Sequence, residues 1–449
     1  MDRRGFIRSG AIAGAGLMLC PKGFSGPLIL PGQKPNIIII LCDDLGYGDI
    51  GCFGDTMIRT PNIDNFAKTG IKMTSFYSSA PVCSPSRAGL LTGRYPPRTG
   101  VTQALFPNTG LTSIVNARLA LSGGEIALPK NEITLGQAMK SGGYSTCCIG
   151  KWHLGDMKGF RPHERGFDHY LGLLFSNDMI PLNLYRNSKI IEKAPANQDL
   201  LTKKYTEEAL GFIKENKDKP FLLYLAQTFP HEPLHASPDF RGKSKAGIYG
   251  DCVEEIDWST GKIMDGLQSY GLLENTLVVF TSDNGPWWTG NPGYRRGRKM
   301  DSFDGGMNVP FLASWPAQIP AGSESKEMAM NFDLFTTSLA VAGLEAPKDR
   351  AIDGKNLLPL LSGKQKQSPH EILFYYKGAN LEAARMGKWK YQLRHYVYYS
   401  PMGMSKGPWL FNLEEDPNES YNLIGNYPEL AREFEKRIAD WNRDFRKHI

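Results

Sequence analysis

No stretch of the 449-residue chain reaches the about twenty consecutive apolar residues of a membrane-spanning helix, so a stable membrane span is not expected. Internal repeats and low-complexity tracts are missing too, which sets aside solenoids and disordered linkers. Charge of one sign is scarce. The formal net charge is +6, and half of that excess sits in the first two dozen residues, where Arg3, Arg4, Arg8 and Lys22 face Asp2 alone. The rest is too mildly basic for a nucleic-acid partner, although a small anionic substrate needs only local positive charge. Cysteine is sparse and odd in number, at seven: Cys20, Cys42, Cys52, Cys83, Cys147, Cys148 and Cys252. No spacing among them fits a zinc site, and most read as small buried hydrophobes, with any disulfide pairing left open.

Glycine and proline are plentiful, at 48 and 30, which points to many ordered loops. With 41% hydrophobic and 22% charged residues the chain is an ordinary globular protein. Its length is a prior for about three domains, but α/β chains often run longer as one unit. Residues 1–30 stand apart. Asp2-Arg3-Arg4-Gly5-Phe6-Ile7-Arg8 followed by an Ala/Gly-rich apolar run to Leu19 resembles a twin-arginine export signal. An exported protein, periplasmic or extracellular, is expected. Leu19 is bulky where a lipid-attachment box before Cys20 needs a small residue, so no lipid anchor is expected.

The chain proper opens on Asn36-Ile37-Ile38-Ile39-Ile40-Leu41-Cys42, a continuous apolar run that predicts a central strand covered on both faces. It ends in Asp43-Asp44, a pair that either caps a turn or ligates a metal. The pattern recurs. A strand over Tyr144 to Ile149 delivers Lys151 and His153; one over Phe221 to Ala226 leads to His231 and His235; one over Leu277 to Thr281 ends in Asp283-Asn284. A further strand over Ile71 to Phe76 precedes Cys83, and Pro85 is placed to start a helix with Arg87 one turn on. Open α/β sheets bind ligands at the carboxyl ends of their strands. All these groups therefore converge on one edge, where hard oxygen ligands suit Ca²⁺ or Mg²⁺ and the basic groups suit a tetrahedral oxyanion ester. From about His370 short strands and a helix from Pro428 predict a small antiparallel sheet with a packed terminal helix. This divides the chain into 34–365, a catalytic α/β domain, and 369–449, a C-terminal α+β subdomain.

Cys83-Ser84-Pro85-Ser86-Arg87 with Leu91-Thr92-Gly93-Arg94 matches the type I sulfatase signature. Leu41 to Asp49, Gly150-Lys151-Trp152-His153-Leu154-Gly155 and Asp283-Asn284-Gly285 resemble further motifs of that family. The chain is thereby identified as similar to formylglycine-dependent sulfatases of the arylsulfatase A-like branch, within the alkaline phosphatase superfamily. The resemblance implies a large mixed β-sheet sandwiched by helices. It implies Cys83 as the formylglycine precursor, made so by a maturation enzyme, and a Ca²⁺, rather than Mg²⁺, held by Asp43, Asp44, Cys83, Asp283 and Asn284. It implies catalytic roles for Arg87, Lys151, His153, His231 and Lys299: Lys151 and Lys299 hold the sulfuryl oxygens, His231 protonates the departing alcohol and His153 removes the proton that lets sulfate leave. Asp304 and Asn308 stand where the family usually has Glu and Arg, which leaves the contacts of that loop open.

The expected substrate is a sulfated carbohydrate, by analogy a galactose or N-acetylgalactosamine sulfate. Ser176, His235, Trp287 and Arg298 are the expected substrate contacts, Trp287 and Trp288 could stack on a sugar, and Arg295, Arg296 and Arg298 could read further sulfates or uronates. Two alternatives stay open: a phosphate or phosphonate monoester hydrolase, and a catalytically silent sulfated-glycan binding protein.

Overall fold

Four consecutive isoleucines must be covered on both sides, and Asn36–Cys42 lies fully buried near the middle of a ten-stranded sheet. The computed structural model describes residues 34–54, 57–121, 124–396, 405–445 and 447. The export signal expected over residues 1–30, with Cys20, lies outside them. In chain order the strands are β1 (Asn36–Cys42), β2 (Ile71–Met73), β3 (Phe76–Tyr77), β4 (Ser145–Gly150), β5 (His169–Gly172), β6 (Leu184–Arg186), β7 (Lys189–Glu192), β8 (Phe221–Ala226), β9 (Thr276–Ser282), β10 (Phe311–Ser314), β11 (Ser323–Ser325) and β12 (Ala329–Met330). The large sheet runs β11-β2-β10-β9-β1-β8-β4-β5-β6-β7. Its centre, β9-β1-β8-β4-β5, is parallel, while β10 is antiparallel to both its neighbours and β6 and β7 close the other edge antiparallel.

Alternation along β1 divides the core. Ile37, Ile39 and Leu41 pack with Ala88, Leu90 and Leu91 of the helix Cys83–Thr92, with Leu135 and Met139, and with Leu334, Phe335 and Leu339. Ile38, Ile40 and Cys42 face Ile63 and Phe66 of the helix Pro61–Thr69, Tyr205 and Ala209 of Leu201–Glu215, and Val253 and Ile256 of Gly247–Ser269. Helices thus cover both faces of a mixed sheet, as expected. The vicinal cysteines follow the same rule: Cys148 packs in the first layer and Cys147 in the second, and the described cysteines are all unpaired.

The remaining strands are β13 (Leu373–Lys377), β14 (Asn380–Met386), β15 (Trp389–Gln392), β16 (His395–Tyr396), β17 (Ser405–Lys406) and β18 (Trp409–Asn412). Four of them form an antiparallel sheet, β13-β14-β15-β18, against which Ala431, Phe434, Ile438 and Phe445 of the helix Pro428–Phe445 pack. The same apolar cluster contains Tyr77, Tyr95, Met307, Met330 and Phe332, so this sheet shares its core with the preceding chain.

Two expectations need correction. The strand over Ile71 to Phe76 is broken into β2 and β3, which join different sheets. The Cys83 helix begins at Cys83 rather than at Pro85: Val82 is the extended N-cap and the Ser86 N–H closes the first turn onto the Val82 carbonyl at 3.1 Å. Pro85 fits inside that turn because an N–H there has no intrahelical partner to lose. A further helix, Thr112–Leu121, follows later in the chain.

Asp257 offers a check on helix packing. It is buried on Gly247–Ser269 and accepts from the Ile63 N–H at 2.8 Å and the Asn62 amide at 2.7 Å. Burial outweighs these bonds and pushes its carboxyl up to about 6. A carboxyl raised on folding gives stability at low pH that is lost as pH climbs from its unfolded value to its folded one. Wild type should therefore lose roughly 2–3 kcal/mol relative to Asp257→Asn between about pH 4 and 6, with no further divergence above. Urea melts of both proteins across that range check this, and a pH-independent difference would refute it.

Candidate active site

The four central strands end at one level. Cys42 is in register with Ser282, and Leu41 and Gly150 both with Ala226, so Asp43, Asp283, Lys151 and Gln227 emerge side by side. Gly150 has φ 101°, and a Cβ there would lie 1.8 Å from the Ala226 carbonyl oxygen, so only glycine can precede Lys151. Asp44 (φ 65°), His153 (φ 61°) and Met300 (φ 75°) adopt the left-handed region without being glycine. That strain, of order 1–2 kcal/mol per residue, gathers around the same edge.

Acidic and basic groups interlock there. Lys151 Nζ donates to Asp43 Oδ2 at 2.5 Å and to Ser176 Oγ at 3.1 Å. Lys299 Nζ donates to Asp44 Oδ2 at 2.8 Å. Arg87, fully buried, donates from Nε to Asp283 Oδ2 at 2.9 Å and from Nη1 to the Lys151 carbonyl at 2.7 Å, with Nη2 3.5 Å from Asp43 Oδ2. Burial opposes the charged form of both Asp43 and Arg87. Lys151, His231 and Arg87 nonetheless hold Asp43 far below the usual carboxylate range, and Asp283 and Asp43 hold the guanidinium protonated. Asp283 goes the other way, pushed up by burial and by Asp43 beside it.

Two oxygens in this group, Asp43 Oδ1 and Asn284 Oδ1, are buried without a hydrogen-bond partner. Asp43, Asp44 and His231 offer ligand atoms within 4.8 Å of one another. Buried acceptors left bare beside crowded carboxylates are what a hard divalent cation satisfies, so the residues fit calcium. The Asn284 amide nitrogen is turned to Asp44 Oδ1 at 2.7 Å and to the Gly285 carbonyl at 2.9 Å, which leaves its oxygen free.

The histidine tautomers follow from their partners. Asn177 donates to Gln198 Oε1 and the Pro233 carbonyl, so its own oxygen, 3.0 Å from His231 Nδ1, must accept. The Glu232 carbonyl also accepts there. His231 therefore carries its proton on Nδ1, leaving Nε2 3.8 Å from Asp44 Oδ2. His153 is the mirror case. Nε2–H donates to the Leu105 carbonyl at 2.9 Å, and Nδ1 is buried with no partner. Burial, then Lys151, pushes its conjugate acid well below the ordinary range, so it is a neutral base. Burial also lowers His231, against the pull of Asp43 and Asp44. Cys83 sits in the first helical turn with its thiol pushed up by burial, although Lys151 and Lys299 oppose this. The positive end of the helix dipole, which favours a thiolate, does not offset that burial.

A cavity of about 480 Å³ opens onto this group, lined by Asp44, Asp178, His231, Glu232, Pro233, Trp287, Lys299 and Met300. Ser176 lies behind it, 3.4 Å from His231 Nε2. Neither His235 nor Arg298 lines it. His235 Nδ1 pairs with Asp199 at 2.7 Å, and Arg298 Nη1 donates to the Trp287 carbonyl at 2.9 Å and to that of Gly290. The neighbouring arginines lie over rings of the protein: Arg295, half-buried, stacks 3.3 Å over the Tyr47 ring and Arg296, exposed, 4.2 Å over Phe303. Asp304 and Asn308 serve the fold. Asp304 accepts from Tyr77 at 2.8 Å and Lys390 at 2.9 Å, and Asn308 donates to the Phe76 carbonyl at 3.0 Å, anchoring the loop that presents Lys299. Asn177, Asp178 and Glu232 were missed. The Phe175 to Asp178 loop and the proline-flanked His231 were the only signals for them. A larger cavity, about 690 Å³, lies by Tyr95, Arg98, His370 and Trp441, but Arg98 is paired with Asp353 and His370 with Asp333.

An α/β fold with carboxylates, an amide, lysines and histidines at the carboxyl ends of parallel strands defines a hydrolase of oxyanion esters. A family model described as sulfatase matches residues 35–344, and one described as N-sulphoglucosamine sulphohydrolase, C-terminal, matches 293–444. Human N-acetylgalactosamine-6-sulfatase is 42% identical over 383 residues, which span 80% of this chain and 71% of that protein. Human steryl-sulfatase is 37% identical over 440 residues, 79% and 74%. A solved structure from a study of glycosaminoglycan metabolism in Bacteroides thetaiotaomicron superposes with TM-score 0.81 at 27% identity, covering 91% of this chain and 99% of that one. The chain belongs to the sulfatase family and is a sulfuric ester hydrolase.

Proposed function

We propose that the protein removes sulfate from a sulfated saccharide, using formylglycine generated from Cys83 by a maturation enzyme. The cavity mouth carries the choice of substrate. Asp178 and Glu232 line it, and their carboxylates have no hydrogen-bond or ion-pair partner among the described residues. Sugar hydroxyls satisfy such carboxylates, whereas a steroid ring would desolvate them without return. The similarity to N-acetylgalactosamine-6-sulfatase supports a saccharide and the similarity to steryl-sulfatase a sterol; the polar mouth favours the first.

Asp43, Asp44, Asp283, Asn284 and the side chain of residue 83 would hold Ca²⁺, which when bound polarises the sulfuryl group. Arg87 fixes Asp43 and Asp283 in place. Lys151 and Lys299 supply positive charge to the sulfuryl oxygens. His231, its Nδ1–H fixed by Asn177, carries a proton on Nε2 to the departing alcohol. His153, with a bare buried Nδ1, accepts the proton at residue 83. Ser176 and Trp287 contact the substrate. The division into 34–365 and 369–449 and the export of the chain to the periplasm or beyond belong to the same reading.

With matured protein and calcium, nitrophenyl sulfate should be cleaved orders of magnitude faster than nitrophenyl phosphate, and a sulfated hexosamine faster than a steryl sulfate. Preference for the phosphate would point to the phosphate or phosphonate monoesterase alternative. Binding of sulfated glycans without cleavage of any ester would point to a silent lectin-like role.

A further inference from the structure

The mouth of the cavity has an unexpected charge balance. Among the described residues Lys299 is the one cation in its wall, and it is paired with Asp44, as Lys151 is with Asp43; Arg298, Arg296 and Arg295 keep their charge but stand outside the wall, their guanidiniums turned to the Trp287, Gly290, Glu419 and Gly293 carbonyls and to the Tyr47 ring. Asp178, exposed, and Glu232, half-buried, remain uncompensated in the wall. The deep end therefore takes one anion, beside Lys299 and His231, and the outer end repels a second.

We infer that Asp178 and Glu232 are specificity determinants that restrict the cavity to a neutral sugar bearing a single sulfate. This rests on the saccharide sulfatase reading above. The two carboxylates accept hydrogen bonds from hydroxyls of the bound sugar and exclude a uronate or second sulfate on the same residue. The wall of Pro233, Trp287 and Met300 offers a second anion no positive charge. An anion about 6 Å from one carboxylate, at an effective dielectric near roughly 40, loses roughly tenfold in kcat/KM. Added salt weakens this discrimination, since the mouth is open to solvent.

The test compares N-acetylgalactosamine carrying one sulfate on its primary hydroxyl with the same sugar carrying a second sulfate on a ring hydroxyl. Nitrophenyl sulfate serves as the control ester, and the proteins are matured wild type and the Asp178→Asn, Glu232→Gln double variant. Wild type should favour the monosulfate by roughly tenfold or more in kcat/KM. The double variant should bring that ratio close to one, chiefly by lowering KM for the disulfate, while melting curves show it folded. Equal turnover of both sugars by wild type, or a ratio the double variant leaves unmoved, overturns the inference while the sulfatase reading stands. Failure to cleave the sugars and the control ester alike overturns the sulfatase reading itself.

Discussion

Replacing Cys83 by Ala is expected to abolish sulfate release, by roughly 10⁴-fold or more in kcat, while leaving the fold intact. Cys83 is buried in the first turn of Cys83–Thr92. Deleting its sulfur leaves only a small void, worth about 1 kcal/mol. The expected loss is large because the proposed mechanism takes its nucleophile from residue 83. An unconverted thiol cannot take over, since burial pushes it above its ordinary range despite the opposing Lys151 and Lys299. Cys83→Ser, left unconverted, should be as inactive as Cys83→Ala, because an alcohol lacks the second hydroxyl of the aldehyde hydrate. Single-turnover and steady-state sulfate release, read beside thermal melts, separate loss of chemistry from loss of fold. Residual turnover within tenfold of wild type would remove Cys83 from the mechanism.

Arg87→Ala should be the most damaging change to stability among the site residues. The guanidinium binds Asp283 through Nε at 2.9 Å and Nη2 at 2.8 Å, and ties both to the Lys151 carbonyl at 2.7 Å. All of these groups are buried. Removing one partner of such a network leaves a buried charge unpaired and costs about 3–5 kcal/mol. Calcium should restore part of this, because a divalent cation supplies the missing positive charge to the same carboxylates. Arg87→Lys keeps the charge but not the fork and should fall between. Urea midpoints with and without calcium give the answer; a calcium-free Arg87→Ala within about 1 kcal/mol of wild type would show that the network is not held by Arg87.

The site was legible because its parts share one local grammar: an apolar run that reads as a buried strand, ended by a polar residue. Asp43, Lys151 and Asp283 each follow such a run, and parallel register carries them to one edge. The same reading located the strand Phe221–Ala226 at its observed bounds. It failed where an element lacks that grammar. Lys189–Glu192 is a largely exposed edge strand, so its sequence shows no buried run. Leu111, Ile114 and Leu121 stay exposed around the helix Thr112–Leu121, which therefore has no clear apolar stripe. It failed again where a partner is chosen over long range. His235 looked free beside His231, but folding brings Asp199 to it; the basic loop looked available, but Tyr47 and Phe303 take its arginines. Asp178 and Glu232 show the reverse, since acidic loop residues look like solvated surface until a cavity is seen to have them in its wall.

The mass of the proteolytic peptide containing Cys83, measured on preparations of graded specific activity, tests the central claim most directly. Specific activity should rise in proportion to the fraction of residue 83 present as the aldehyde and vanish at zero aldehyde. Full sulfate-releasing activity in a preparation whose residue 83 is entirely the thiol would contradict it.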